Sequence, residues 1–233
     1  MRVSLVAKTS TDIRGTNRLD ADSPKKASEP LSLGELLGYI ARVSNPSNQM
    51  NTQTTSKLLT YCLKNRHWSV FESASITMEI VTSRAIAQQI LRHRSFTFQE
   101  FSQRYADVVE REVYQARRQD EKNRQNSIDD MDQETQDWFL NAQFSNWESA
   151  TILYREALKR GIAKEQARFL LPLAAATTIY MTGCIRSWIH YCEARCATGV
   201  QKEHRAIALI CRDILIKEIP ELGDYFTEGR LSQ

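Results

Sequence analysis

Glycine is scarce in this chain of 233 residues: there are eight, and the closest pair, Gly34 and Gly38, stand four apart. Neither GxGxxG nor GxxxxGK(S/T) is present, which removes the two common backbone cradles for phosphate. A chain that binds a dinucleotide without them must hold the phosphates with side chains. Long apolar runs are also missing, and no stretch nears the roughly 20 residues a membrane span needs. The opening Met1-Arg2-Val3-Ser4-Leu5-Val6-Ala7-Lys8 is too short and too soon polar for a signal peptide, and reads as a first strand. The cysteines (Cys62, Cys184, Cys192, Cys196, Cys211) are odd in number and lack CxxC spacing. That argues against a disulfide framework or a zinc site and fits a reduced, cytoplasmic chain (host cytoplasm, if the source is viral). The formal charge of +3 is too small to indicate a nucleic-acid partner.

What remains is an ordinary globular composition, with 42% hydrophobic residues, enough for one sizeable domain over 1–233. Residues 9–30 are polar and read as a loop. Ser32-x-x-Glu35 is a capping box opening a helix that ends near Asn45-Pro46, and a second helix covers about 54–65. From Ala74 to Val81 the chain alternates, with Ile76, Met78 and Ile80 on one side, which predicts a strand. Ser83 caps a short helix over about 84–92, and residues 96–101 read as a loop or extended run. Residues 106–136 are very polar and read as a solvated insertion, helical in part. An amphipathic helix over 137–160 carries Trp138, Phe139, Phe144, Trp147, Ile152 and Leu158. A helix over about 163–171, a strand at Thr177–Met181 and helices over about 184–197 and 200–217 complete the chain. Helices mixed with a few strands, without βαβ regularity, indicate an α+β fold: helices around a small, mainly antiparallel sheet.

The chemistry concentrates in thirteen positions, 92–104, which hold Arg92, His93, Arg94 and Arg104 with Gln99, Glu100 and Ser102 between them. Guanidinium forks suit phosphates and planar carbonyl edges because they donate in pairs and stay charged. Adjacent side chains on a helix turn by about 100°, so the triplet must serve more than one surface or sit where a helix ends. By itself, Arg-His-Arg is equally a solvated basic helix end. The cluster could also bind single-stranded nucleic acid, with Phe96, Phe98 and Phe101 as stacking rings, although Glu100 among the arginines opposes that. A structural oligomer without catalysis would leave the Arg, His, Ser and Glu clustering unexplained. Cys192 and Cys196, four apart on one helix face, read as core residues. Arg186 and Arg195 are nine apart, about 180° on an unbroken helix, and cannot face one pocket.

Arg92-His93-Arg94, seven residues and then Ser102, flanked by Gln89, Glu100, Arg104 and Tyr105, resembles the signature of flavin-dependent thymidylate synthases. His67-x-Ser69-x-Phe71-Glu72, the segment Glu165-x-x-Arg168-x-x-Leu171-Pro172, and Arg186 to Arg195 look like further segments of that family. The resemblance implies conversion of dUMP to dTMP, with 5,10-methylenetetrahydrofolate as one-carbon donor and FAD reduced by NADPH as hydride source. It implies that Ser69, Glu72, Arg92, His93, Arg94, Glu100, Arg186 and His190 contact FAD. It further implies that Gln89, Arg92, Glu100, Ser102, Arg104, Arg168 and Arg195 surround dUMP, with Arg92 serving both ligands because the pyrimidine stacks on the flavin. His67 falls on the folate side. Arg195 and Ser102 are the candidate catalytic residues: Arg195 to stabilise charge on the uracil ring, Ser102 with Arg104 on the phosphate side. No metal and no nucleophilic cysteine are implied. The family assembles as a homotetramer with sites at subunit contacts, which answers the opposed faces of Arg186 and Arg195. Two departures concern the adenine end of FAD: His190 stands where some relatives have asparagine, and Gly199 where some have a second histidine. Read from the residues alone, His190 is as readily a buried, hydrogen-bonded histidine.

Overall fold

A computed structural model describes residues 1–11, 30–107 and 110–227. Most of the polar stretch expected as a loop after the first strand, 12–29, lies outside the described residues. Strand β1 (Arg2–Lys8) is followed by α1 (Leu33–Ala41) and α2 (Thr55–Lys64). The capping box at the start of α1 forms in both directions: the Glu35 N–H donates to Ser32 Oγ, and the Ser32 N–H donates to Glu35 Oε2. The helix stops at Ala41, earlier than the sequence suggests, and the Asn45-Pro46 region forms its own 3-10 turn, Pro46–Asn48. A second 3-10 turn, Trp68–Glu72, leads into β2 (Ser75–Ser83), and α3 (Arg84–Ile90) and β3 (Thr97–Glu100) follow.

Four strands form one antiparallel sheet in the order β1-β2-β6-β3, with β6 at Ala176–Cys184. The register pairs Met78 with Met181 and Ile80 with Ile179. The alternation of β2 therefore buries Ile76, Met78 and Ile80 on one face, as a period of two requires. Strand β6 runs from Ala176 to Cys184, beyond the Thr177–Met181 span that β-branched residues mark, because β2 pairs with it along its whole length. Gly183 is where Phe96 crosses the sheet: an added Cβ would lie 2.4 Å from that ring. Phe96 thereby reaches the core, edge-on to Trp188 at 4.8 Å. The Trp188 indole N–H donates to the Ile76 carbonyl at 3.1 Å, so its one polar atom is satisfied inside. Phe98 packs against the same core, and Phe101 against Trp147 and Ala175. Those three rings are packing groups, not an open stacking platform.

The core is closed by α6 (Ile185–Arg195) and α7 (Lys202–Glu218), with α8 (Leu222–Thr227) at the end. Cys192, Cys196 and Cys211 lie buried in it. The segment expected as one helix over 163–171 is a single turn, α5 (Lys164–Ala167), continued as a 3-10 turn to Leu170, because Pro172 cannot extend the ladder.

The polar stretch before α4 (Gln133–Lys159) differs from expectation. Among the described residues, helix appears in it only from Gln133; before that it carries a two-strand ribbon, β4 (Arg118–Gln119) with β5 (Ser127–Ile128). It is also tied down. Gln143 and Gln136 each bond both backbone groups of one residue, Tyr114 and Ala116 respectively. The Tyr114 hydroxyl bonds Ser83 Oγ, and Arg117 pairs with Glu203 on α7 at 2.7 Å. Helix α4 itself buries Trp147, Ala150, Tyr154 and Ala157, whereas Trp138, Phe144 and Ile152 point outward at 67%, 43% and 65% exposure. The apolar residues of this helix exceed what its own chain covers. Among the described residues, no helix is long and apolar enough to cross a membrane.

Candidate active site

Ser83 caps α3 by accepting the Ile86 N–H, and the helix lasts only to Ile90. The chain then turns through Leu91 to Phe96 before entering β3. The Arg-His-Arg triplet sits in this turn, and its side chains part company as the helical angle demanded. Arg92 and Arg94 stand exposed, without a hydrogen-bond or ion-pair partner among the described residues. His93 points inward, its ring 4.9 Å from that of Tyr191, and its Nε2 accepts the Arg195 Nε–H at 2.9 Å. One contact thus joins two motifs that are 102 residues apart.

Burial, and then the charge of Arg195, push the His93 pKa down to about 4. A neutral ring with Nε2 accepting carries its proton on Nδ1. Behind it lies His204, fully buried on α7, with its pKa lowered to about 3 by burial, Arg195 and His93. Both rings titrate near 6.5 in the unfolded chain. Below that value the unfolded chain takes up protons that the folded chain refuses, so folding stability falls as pH drops. We expect the melting temperature to decline from pH 7 to pH 5, steepening below about pH 6.5 and before carboxylates titrate. Thermal melts across that interval check this, and a flat profile would mean that both rings charge as readily folded as unfolded.

Gln89, one turn before His93, bonds His204 Nδ1 through its Oε1 at 3.3 Å and donates from Nε2 to Gln201 Oε1 at 2.6 Å. Glu100, at the end of β3, is held by Arg84 Nη1 at 2.9 Å and the Thr177 hydroxyl at 3.0 Å. Ser102 Oγ accepts the Arg104 N–H at 3.3 Å, and no histidine pairs with it among the described residues. Arg104 and Arg168 converge on one residue: Arg104 pairs with the Glu165 carboxylate at 3.0 Å, and Arg168 Nε donates to the Glu165 carbonyl at 3.2 Å. Arg84, Gln103 and Arg168 line a cleft of about 290 Å³ closed by Phe169, Leu171 and Leu173.

The remaining candidates gather on the other side of α6. Arg186 pairs with Glu72, and His190, four residues on, sets its ring edge-on to Trp68 at 4.8 Å. Ser69 is exposed in the same 3-10 turn, and His67 is exposed with its ring against Tyr61 at 5.6 Å. Within one chain, Arg186 and Arg195 face opposite ways, separated by the buried residues of their own helix, Trp188, Ile189, Tyr191 and Cys192. Among the described residues, no three His, Cys, Asp or Glu side chains are grouped as a metal site.

Sequence reasoning missed His204, Tyr191, Gln201 and the Arg117–Glu203 pair. The one available signal is local: Gln201-Lys202-Glu203-His204 opens α7 with more polar groups than a buried helix start needs.

Residues 33–221 match the family described as "Thymidylate synthase complementing protein". A "Flavin-dependent thymidylate synthase" of Synechocystis sp. is 57% identical over 195 residues, 84% of this chain and 90% of the relative. A "Probable flavin-dependent thymidylate synthase" of Paramecium bursaria Chlorella virus 1 is 55% identical over 190 residues, 81% of this chain and 88% of the relative. Among solved structures, a UMP/dUMP methylase, PolB from Streptomyces cacaoi bound with 5-Br dUMP, superposes with a TM-score of 0.78. It is 23% identical and covers 100% of this chain and 97% of its own, a likeness of fold.

Proposed function

The chain belongs to the flavin-dependent thymidylate synthases, enzymes of dTMP synthesis, and on that premise we propose how its residues divide the reaction. The observation that carries the reading is the Arg195–His93 hydrogen bond, which sets a permanent cation beside the Arg-His-Arg turn. The substrate dUMP offers a dianionic phosphate and a uracil edge with two carbonyls. Its carbon 5 becomes nucleophilic when negative charge collects on the ring oxygens. Arg195 spends its Nε–H on His93, and its two Nη groups have no partner among the described residues. They are the donors for that charge, and a guanidinium supplies them without giving up its proton.

Ser102, Arg104 and Arg168 form the phosphate side. The Arg104–Glu165 pair is half exposed, so it holds the guanidinium weakly and exchanges readily for a phosphate. Glu100, fixed by Arg84 and Thr177, and Gln89 complete the nucleotide surroundings. The donor set also fits FAD. The chain has no glycine loop for a pyrophosphate, whereas Arg92 and Arg94 present guanidinium groups without a partner among the described residues, and Ser69, Glu72, Arg186 and His190 form a second polar cluster. Bound FAD, reduced by NADPH, supplies the hydride, while 5,10-methylenetetrahydrofolate supplies the carbon on the His67 side.

The two flavin clusters lie on opposite faces of α6, so a complete site draws them from different subunits. A homotetramer accommodates this, and the outward Trp138, Phe144, Ile152 and Leu153 of α4 supply apolar surface for such contacts. The direct test is a spectrum. Purified protein should absorb at about 450 nm, the oxidised flavin band, and shift on addition of dUMP. Colourless protein that takes up no added FAD would sink the reading.

A further inference from the structure

We infer that His204 is a positioning residue for the nucleotide side of the site: it holds the Gln89 carboxamide in one of its two flip states. This rests on the reading above that Gln89 faces dUMP.

His204 has no exposed surface. Its Nδ1 lies 3.3 Å from Gln89 Oε1, and its Nε2 lies 3.2 Å from the Tyr191 hydroxyl. Gln89 donates in turn to Gln201 Oε1, and Gln201 Nε2 donates to Glu203 Oε2 at 3.0 Å. Glu203 is anchored by Arg117, whose Nη2 sits 2.7 Å from each carboxylate oxygen. The Glu203 carboxylate accepts, so Gln201 must present its amide nitrogen to it and its oxygen to Gln89. Gln89 therefore presents its nitrogen to Gln201 and its oxygen to His204. That oxygen only accepts, which puts the histidine proton on Nδ1 and leaves Nε2 to accept from Tyr191. A neutral imidazole matches this pattern, and burial with Arg195 nearby keeps the ring neutral.

A flipped Gln89 would set its amide hydrogens against the Nδ1–H and an oxygen against the Gln201 oxygen. The chain of bonds excludes that state. Among the described residues, one N–H and one lone pair of Gln89 have no partner, and they stand at fixed places. A glutamine without this brace has three rotors to order when ligand binds.

The test compares five variants, one of them double, in steady-state kinetics with flavin spectra. His204→Phe fills the space but donates nothing. It should raise the KM for dUMP about tenfold, the size of one lost hydrogen bond, and leave kcat and the flavin spectrum near wild type. His204→Asn places an N–H where Nδ1 stood and should recover most of that KM. His204→Gln places its N–H at the Nε2 position and should not. Gln89→Ala should raise KM at least as far, and His204→Phe should add nothing on top of it. Equal KM values for the Asn and Gln variants, or a full multiplication of effects in the double variant, would overturn the inference and leave His204 as a packing residue. An unchanged KM in Gln89→Ala would instead overturn the placement of Gln89 beside dUMP, and the inference with it. If His204→Phe fails to fold, the Asn and Gln pair still decides.

Discussion

Arg195→Ala is expected to lower dTMP formation about a thousandfold, the upper range for removing one preorganised donor from developing charge, while NADPH-driven reduction of the flavin and its oxidation by air continue. The split follows from where the guanidinium sits. Its Nε is committed to His93, and its Nη groups have no partner among the described residues. Charge collects on the uracil ring during attack by carbon 5, not in the ground state, so the loss belongs in kcat more than in KM. His93 provides a control on the same contact. With Arg195 gone, one cause of its depressed pKa is removed while the larger one, burial, stays. The imidazole should titrate somewhat higher in the variant, visible by NMR. Arg195→Lys keeps the charge but loses the fork, and should recover only part of the rate. Wild-type turnover in Arg195→Ala would show that another group carries the uracil charge.

Parts of this molecule were legible in the sequence because their causes are local. Ser32 and Glu35 are three apart and cap each other, so the start of α1 could be read directly. The alternation of Ile76, Met78 and Ile80 gave β2 its buried face. The opposed directions of Arg186 and Arg195 follow from helical geometry alone. Features with distant causes were not legible. Gln89 and His204 meet across 115 residues, and nothing near His204 signals that its ring faces a carboxamide. The stretch before α4 looks solvated by composition, yet Gln136 and Gln143 of α4 satisfy its backbone groups at Ala116 and Tyr114, and its Arg117 pairs with the buried Glu203 carboxylate, partners that only the fold presents. Helix α4 misled in another way. Its apolar residues suggested burial, but Trp138 and Ile152 lie outside the single chain. Periodicity reports that a face is apolar and does not say which chain covers it.

That uncovered face bears on the second large effect, which concerns mixed assemblies. Arg186→Ala should release flavin, and Arg195→Ala should retain it without methylating dUMP. Each protein alone should be nearly inactive after desalting. If the Arg186 and Arg195 faces of one site come from different chains, co-expression of the two variants must rebuild some intact sites. A site taking Arg186 from one variant and Arg195 from the other is wild type in both positions. Random mixing makes about a quarter of all sites of that kind, so activity should recover to about that fraction. The complex should run at four times the 26.8 kDa chain. Size and recovery test different things. A tetramer without recovery would mean that each chain builds its own complete site, with α4 serving assembly only. Recovery requires that the ligands bridge subunits, and it would explain why one helix carries two functional arginines back to back.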